Sequence, residues 1–392
     1  MNPFAAFDQT EITPAGVRRI RQGHLWVYAG DVAREPADSG SPIVEVVDSA
    51  QNPLGYALYS RQSQIRLRFL TREHARPTAD LIRNRLRASV ARRRHLDQAN
   101  TACRLVFGEA DLLPSIVVDR YGEYLALQTL SSGADALKSE LVEMLADLLR
   151  PKGIVERNDV KARRLEGLEE VQGILMGSVP PEVEIVEGGV RFLVELSAGQ
   201  KTGFFLDQRD NRVASRRYAF GRALDCFTNT GAFALHFAAC CPSVLAIDVS
   251  PAPLLQARRN ADLNGAANVE FREGNVFDLL RDLERAGEKF DTICLDPPAF
   301  AKSRSALAGA LGGYKEINLR AMRILSPEGI LVTSSCSYHL TEPAFWALLC
   351  QAARDAHRYI QVVERRGQAG DHPVLATMPE THYLKCFVLR VL

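Results

Sequence analysis

From Arg222 to Ser334 the chain alternates short apolar runs with segments of helical period, and this alternation constrains the fold more than any other feature. Strands are predicted over 222–225, 244–247, 269–272, 292–295 and 330–334, with helices over 232–239, 253–264, 279–286 and 315–325 between them. Such units bury both faces only in a parallel sheet covered by helices, and ligands of these sheets sit at the carboxyl ends of the strands. The residues that follow each strand are therefore the first candidates for chemistry.

The 392 residues predict two or three domains, at about 150 residues per domain. Apolar residues at 46% and charged residues at 24% exclude a disordered or fibrous chain. With 48 basic and 47 acidic residues the net charge is +1, so any nucleic-acid surface must be local. The longest apolar runs, 232–235 and 329–332, fall far short of the roughly 20 residues of a membrane helix. The amino-terminal residues have no basic, apolar leader pattern, so a cytoplasmic protein is expected. Eight cysteines without a C-x-x-C pair read as reduced thiols, and the histidines lack the spacing of metal ligands.

Ahead of the alternating region, β-like runs at 43–47, 54–59 and 65–70 define a small β-rich domain with basic residues Arg18, Arg19 and Arg21. Residues 77–99 have helical period and many arginines, which reads as a solvated linker helix or as a contact for RNA phosphates. Runs at 105–107, 115–118, 124–129 and 154–157 with a helix over 134–149 form an α+β module. Pro180-Pro181 marks a break, and Gly188-Gly189 between 183–186 and 190–196 is a two-residue hairpin signal. The expected division is 1–72, 73–181 and 182–392.

The first strand of the alternating region ends Asp225-Cys226-Phe227-Thr228-Asn229-Thr230-Gly231, a tight turn with one glycine that lacks the full dinucleotide fingerprint. Asp248 ends the second strand, where a carboxylate can accept from ribose hydroxyls. Asn275 follows the third and can both donate to and accept from an adenine edge. The fourth gives Asp296-Pro297-Pro298-Ala299-Phe300: two prolines fix the backbone and remove amide donors, so the carboxylate can face a planar heterocycle. The fifth ends Ser335-Cys336-Ser337, which places a thiol beside that carboxylate.

These segments, with Arg21-Gln22-Gly23-His24-Leu25-Trp26-Val27-Tyr28, Gly108-Glu109-Ala110-Asp111-Leu112-Leu113-Pro114 and Gly199-Gln200-Lys201-Thr202-Gly203-Phe204-Phe205-Leu206-Asp207-Gln208-Arg209, run in order along nearly the whole chain. The sequence resembles the bacterial 23S rRNA cytosine-C5 methyltransferases. The resemblance implies an α/β chain: a Rossmann-like class I methyltransferase sheet behind a PUA domain and a central α+β domain. It implies S-adenosylmethionine (SAM) as cofactor, lined by Asp225, Phe227, Thr230, Gly231, Asp248, Asn275, Gln200, Lys201, Phe204 and Gln208. Ala232 stands where the family has a second glycine, and Asn275 where an aspartate is common. Pro297, Pro298, Phe300 and Arg209 are implied to border the target base, and Arg18, Arg19 and Arg21 to meet RNA. The implied partner is 23S rRNA or a large-subunit assembly intermediate; the sequence leaves the oligomeric state open, with a homodimer as one option.

Cytosine C5 is too weak a nucleophile to attack a sulfonium methyl directly, so the chemistry needs a thiolate that adds at C6 first. Cys336 is the candidate nucleophile and Asp296 the group for the N3/N4 edge. A free thiol, with a pKa of about 8.5, needs a pocket that favours its anion. A SAM-dependent N-methyltransferase, a nicotinamide dehydrogenase and an inactive RNA-binding assembly factor remain open at this level.

Overall fold

A computed structural model describes residues 3–5, 7–37, 40–96, 100–197, 202–301 and 306–392. Gln200 and Lys201 lie outside the described residues. The chain divides into two compact units: Met1–Ile185 with Val194–Leu206 and Asp371–Thr381, and Val186–Leu193 with Asp207–Gly370 and His382–Leu392.

The first unit holds two sheets. Six strands lie in the order Trp26–Tyr28, Ile65–Thr71, Pro53–Tyr59, Ile43–Val47, Asp8–Ile12, Val32–Arg34. Five lie in the order Val171–Gly177, Gly153–Asn158, Tyr124–Thr129, Ile116–Tyr121, Ala102–Phe107. The helix Ala79–Arg93 is a core element rather than a solvated linker, because Ile82 and Leu86 pack with Ile116, Leu127 and Leu141. Its last turn is spent inside the unit as well. Arg93 donates twice to Asp111 at 2.7 Å and Arg92 once at 2.6 Å. Arg87 and Arg94 stay exposed.

In the second unit the alternating region forms the expected layers. Its strands are β1 (Arg222–Cys226), β2 (Ser243–Asp248), β3 (Val269–Glu273), β4 (Phe290–Leu295), β5 (Leu325–Ser335), β6 (Ile360–Arg366) and β7 (Lys385–Val391). They stand in the order β3-β2-β1-β4-β5-β7-β6, with β7 antiparallel to both neighbours and the rest of the sheet parallel. Its helices are α1 (Arg209–Ser215), α2 (Ala232–Ala238), α3 (Pro251–Leu263), α4 (Val276–Arg285), α5 (Leu307–Ile324) and α6 (Glu342–Asp355). Leu224, Ile293 and Leu331 of the sheet share a core with Tyr314, Phe345 and Phe387. Among the described residues no helix is long and apolar enough to cross a membrane.

The strands Glu182–Glu187 and Val190–Glu195 pair through Gly188 and Gly189, whose φ values of +54° and +86° suit a primed two-residue turn. Glu187 ends the first strand and anchors it. Its carboxylate accepts from Arg212 Nε and Nη2 at 2.6 and 2.7 Å and lies 3.1 Å from His236 Nε2, all three side chains being buried. Burial opposes the Glu187 charge, but Arg212 and then His236 overcome it and hold the carboxyl at about 2. This stabilisation is present above the ordinary glutamate range and is lost as the pH falls towards 2. Glu187→Gln leaves Arg212 buried without its counter-charge. Urea denaturation at pH 7 is expected to show a loss of about 3 kcal/mol; a loss below about 1 kcal/mol would contradict an anchoring role.

Candidate active site

Adjacent parallel strands deliver the key residues side by side. Leu295 of β4 is in register with Thr333 of β5, so Asp296 and Cys336, which follow shortly after, leave the sheet at one edge. Cys336 Sγ lies 3.9 Å from the Pro297 carbonyl oxygen. Pro297 is buried and Pro298 exposed, so this segment turns outward immediately after the carboxylate.

A chain of amides orients Asp296. Arg366 Nε donates to Asn211 Oδ1 at 2.9 Å, Asn211 Nδ2 donates to Gln208 Oε1 at 2.6 Å, and Gln208 Nε2 donates to Asp296 Oδ1 at 2.6 Å. Both polar ends of Gln208 are thereby engaged, and the structure sets this residue against Asp296. Arg209 is 1% exposed, and its Nε donates to Asp210 Oδ1 at 2.9 Å.

The Ser335-Cys336-Ser337 turn is pinned on every side of the thiol. Ser337 Oγ accepts from the Ala301 amide at 3.1 Å and lies 3.0 Å from the Tyr314 hydroxyl. Ser337 N donates to Ser335 Oγ at 3.3 Å. Ser335 and Ser337 are fully buried and Cys336 is half-buried. Tyr314, on α5, is buried, which raises its phenol; sequence reasoning missed it because its partner is 23 residues away. Phe300 packs at 4.6 Å from the Tyr314 ring and lies 5.9 and 6.2 Å from those of Phe277 and Phe227. One aromatic row thus runs from the loop after β1 to the thiol turn.

The loop after β1 carries left-handed backbone at Phe227, Asn229 and Gly231, with φ of +63°, +51° and +84°. Such conformations are costly for residues with a Cβ and persist where surroundings over-determine them. Those surroundings are visible. Asn229 N donates to Asp248 Oδ2 at 2.8 Å, Thr228 N to the Ile247 carbonyl at 2.9 Å, and Asn260 Nδ2 to the Thr230 carbonyl at 3.0 Å. A Cβ on Gly231 would come within 3.2 Å of Ala257 Cβ, so this glycine serves loop-to-α3 packing. Asp248 Oδ1 accepts from Ser250 N at 2.9 Å. Asn275 caps α4 by accepting from Phe277 N at 2.9 Å, which spends its side-chain oxygen.

Asp225 is the buried end of β1. Its Oδ2 accepts from Thr228 Oγ1 at 2.6 Å and Ala234 N at 2.9 Å, while Oδ1 has no hydrogen-bond partner among the described residues. Burial pushes the carboxyl up to about 7, and the charge of Asp296 pushes the same way. An unpartnered buried carboxylate oxygen suits a cationic ligand, and S-adenosylmethionine carries both an ammonium and a sulfonium. The donor set at these strand ends fits that cofactor.

The expected residues Asp225, Phe227, Thr230, Gly231, Asp248, Asn275, Gln208, Asp296, Pro297, Pro298, Phe300 and Cys336 all belong to this unit. Phe204 belongs to the other, where it is buried and its amide donates to the Tyr121 hydroxyl at 3.2 Å. Arg18, Arg19 and Arg21 lie on the helix Pro14–Arg21 of that unit. Arg18 and Arg21 are exposed, whereas Arg19 pairs with Asp31 and its guanidinium sits 4.8 Å from the centre of the Tyr28 ring.

The sheet order and the strand-end residues define a SAM-dependent methyltransferase domain, and comparison with known families agrees. Residues 170–389 match the S-adenosylmethionine-dependent methyltransferase family and residues 11–72 a PUA-like domain; the chain belongs to that methyltransferase family, with SAM as its cofactor. More narrowly, it is 42% identical over 388 residues to "Ribosomal RNA large subunit methyltransferase I" of Erwinia tasmaniensis, covering 96% of this chain and 97% of that one. The protein of the same name from Klebsiella pneumoniae is 42% identical over 389 residues, covering 96% of each. A solved structure from Streptococcus mutans, assigned as a SAM-dependent methyltransferase, has a TM-score of 0.83 at 20% identity, covering 98% of this chain and 100% of that one. A second, assigned as a methyltransferase and complexed with SAH, has a TM-score of 0.83 at 19% identity, with the same coverage.

Because the folded state holds the Asp225 proton up to about 7, while an unfolded aspartate releases it near 3.8, stability falls as pH rises through that window. Asp225→Asn removes this slope. The melting temperature of the variant minus that of the wild type is expected to rise by about 3 °C or more between pH 5 and pH 8; a difference independent of pH would contradict it.

Proposed function

We propose that this protein forms 5-methylcytosine in 23S rRNA, as free RNA or within a large-subunit assembly intermediate, in the cytoplasm. The observation that carries this reading is the half-buried thiol of Cys336 beside the Asp296-Pro297 backbone. A methyltransferase acting on an amino nitrogen uses the lone pair of its substrate and needs no thiol; a C5 methyltransferase needs one. The relatives named for the ribosomal large subunit support an rRNA substrate, and the PUA-like domain supports an RNA-binding role for segment 1–72, ahead of segments 73–181 and 182–392.

SAM supplies an electrophilic methyl group when bound. Asp225, Asp248, Asn275, Phe227, Thr230 and Gly231 would hold it, with Asp248 towards the ribose and the remaining Asn275 amide towards the adenine. The target base must leave its stack to reach this edge of the sheet. Asp296, oriented by Gln208, accepts from the N4 amino group and, in its acid form, donates to N3. Pro297, Pro298 and Phe300 shape the slot, Arg209 supports it, and Arg18, Arg19 and Arg21 contact RNA. Cys336 Sγ adds to C6, the C5–C6 electron pair moves to C5, and C5 takes the methyl group as the bond from that methyl to the cofactor sulfur breaks, with S-adenosylhomocysteine as the leaving group. Water takes the C5 proton, the C5–C6 double bond re-forms and the thiolate is released.

Labelled-SAM transfer to 23S rRNA, followed by nucleoside mass spectrometry, is expected to give 5-methylcytidine, and Cys336→Ala to reduce that product by at least about 10³-fold while SAM still binds. Finding only N-methylated nucleosides, or full activity in Cys336→Ala, would overturn the reading.

A further inference from the structure

Lys385 is the first residue of β7 and stands in register with Ser335, one residue before Cys336. Lysine is rarely fully buried without a partner, yet Lys385 is only 4% exposed. Its ammonium donates to the Ser337 carbonyl at 2.7 Å and to the Tyr383 carbonyl at 2.8 Å. An ammonium has three donors, so one remains beyond those two bonds. Among the described residues no carboxylate forms an ion pair with it, although such a pair is the usual way to keep a buried lysine charged. One of the two carbonyls belongs to Ser337, the residue directly after Cys336.

We propose that Lys385 is a positioning residue for the thiol chemistry: its buried ammonium, clamped to the Ser337 and Tyr383 carbonyls, keeps Cys336 as a thiolate. This inference rests on the reading of Cys336 as the nucleophile and deepens it, because it supplies the charge that the chemistry requires. The groups around the thiol turn leave this role to Lys385. Asp296 follows β4 and is a carboxyl group, which brings no positive charge. Tyr314 of α5 presents a raised, neutral phenol bonded to Ser337. Glu342 of α6 is a further carboxylate, and Cys386, the neighbour of Lys385, is a buried thiol pushed up to about 12. Arg366 of β6, opposite Cys386, is a further cation, but its guanidinium is bonded to Asn211 and Glu364, whereas the Lys385 ammonium is bonded to the thiol turn itself. Burial pulls its ammonium down to about 8, while Cys336 and then Glu342 act in the opposite direction, so it remains charged at neutral pH. The interaction is reciprocal: whatever Cys336 does for the Lys385 charge, Lys385 does for the thiolate.

The test reads the thiol itself rather than turnover. The full-length protein is treated with iodoacetamide across pH 5–10, and the rate at the Cys336 peptide is followed by mass spectrometry, which separates it from exposed Cys240 and Cys350. In Lys385→Met the midpoint of alkylation is expected to rise by about one pH unit, making the reaction about tenfold slower at pH 7, with SAM affinity retained. Lys385→Arg, which restores the charge, is expected to stay within about twofold of wild type. Lys385→Gln keeps a donor for the carbonyls without the charge and should match Met, so it serves if the Met variant does not fold. An unshifted midpoint in Met or Gln, or an Arg variant that behaves like them, would overturn the proposal. Retained rRNA methylation in Cys336→Ala would instead sink the nucleophile assignment, and the alkylation profile would still report the Lys385 effect.

Discussion

The register between two neighbouring parallel strands governs the site. Leu295 opposite Thr333 means that the chain leaves β4 and β5 within a few residues at one edge. Side chains alternate faces along a strand, so a slip of one residue would turn the flanking core residues outward. Ile293 and Leu331, both fully buried, make that slip costly. The hydrophobic sheet therefore fixes a polar pair that contributes nothing to the core itself.

The polar elements around that pair have separate tasks. The Arg366–Asn211–Gln208 chain aims Asp296. Ser337, held by Ala301 and Tyr314, fixes the backbone of the thiol turn. The loop after β1 is held in left-handed conformations by Asp248 and Asn260. Burial holds the Asp225 carboxyl, on β1, up at about 7, so it is about half protonated at pH 7. The carboxyl groups of Asp225 and Asp296 and the thiol of Cys336 thus stand at the ends of the adjacent strands β1, β4 and β5, and the Lys385 ammonium is bonded to the carbonyl of the residue after that thiol.

The parallel layers were legible because their signal is periodic and local. The strand and helix alternation over 222–334 reappears as β1–β5 and α2–α5, with α4 beginning earlier because Asn275 caps it and α5 because its first turns carry Gly and Ala without strong period. Cys336 and Asp296 were legible for the same reason, as the residues that follow predicted strands. The missing parts are relations between distant segments. β6 and β7 were not expected, although Lys385-Cys386-Phe387-Val388-Leu389-Arg390-Val391 is an apolar run; the lysine at its start was the one available signal that this strand does more than pack. The partnership of Tyr314 with Ser337 and that of Gln208 with Asp296 are tertiary, and nothing in their spacing announces them. The arginines of Ala79–Arg93 misled because sequence shows charge but not the buried Asp111 that receives it.

A covalent bond between Cys336 and the target base tests the central claim most directly. Large-subunit rRNA transcribed with 5-fluorocytidine carries a fluorine where the leaving proton should be, so a thiolate that has added at C6 cannot be expelled after methyl transfer. The expected result is an RNA–protein adduct that survives denaturation, with the base and one added methyl group on the Cys336 peptide. Methyl transfer without any adduct, or an adduct on a different cysteine, would contradict the account.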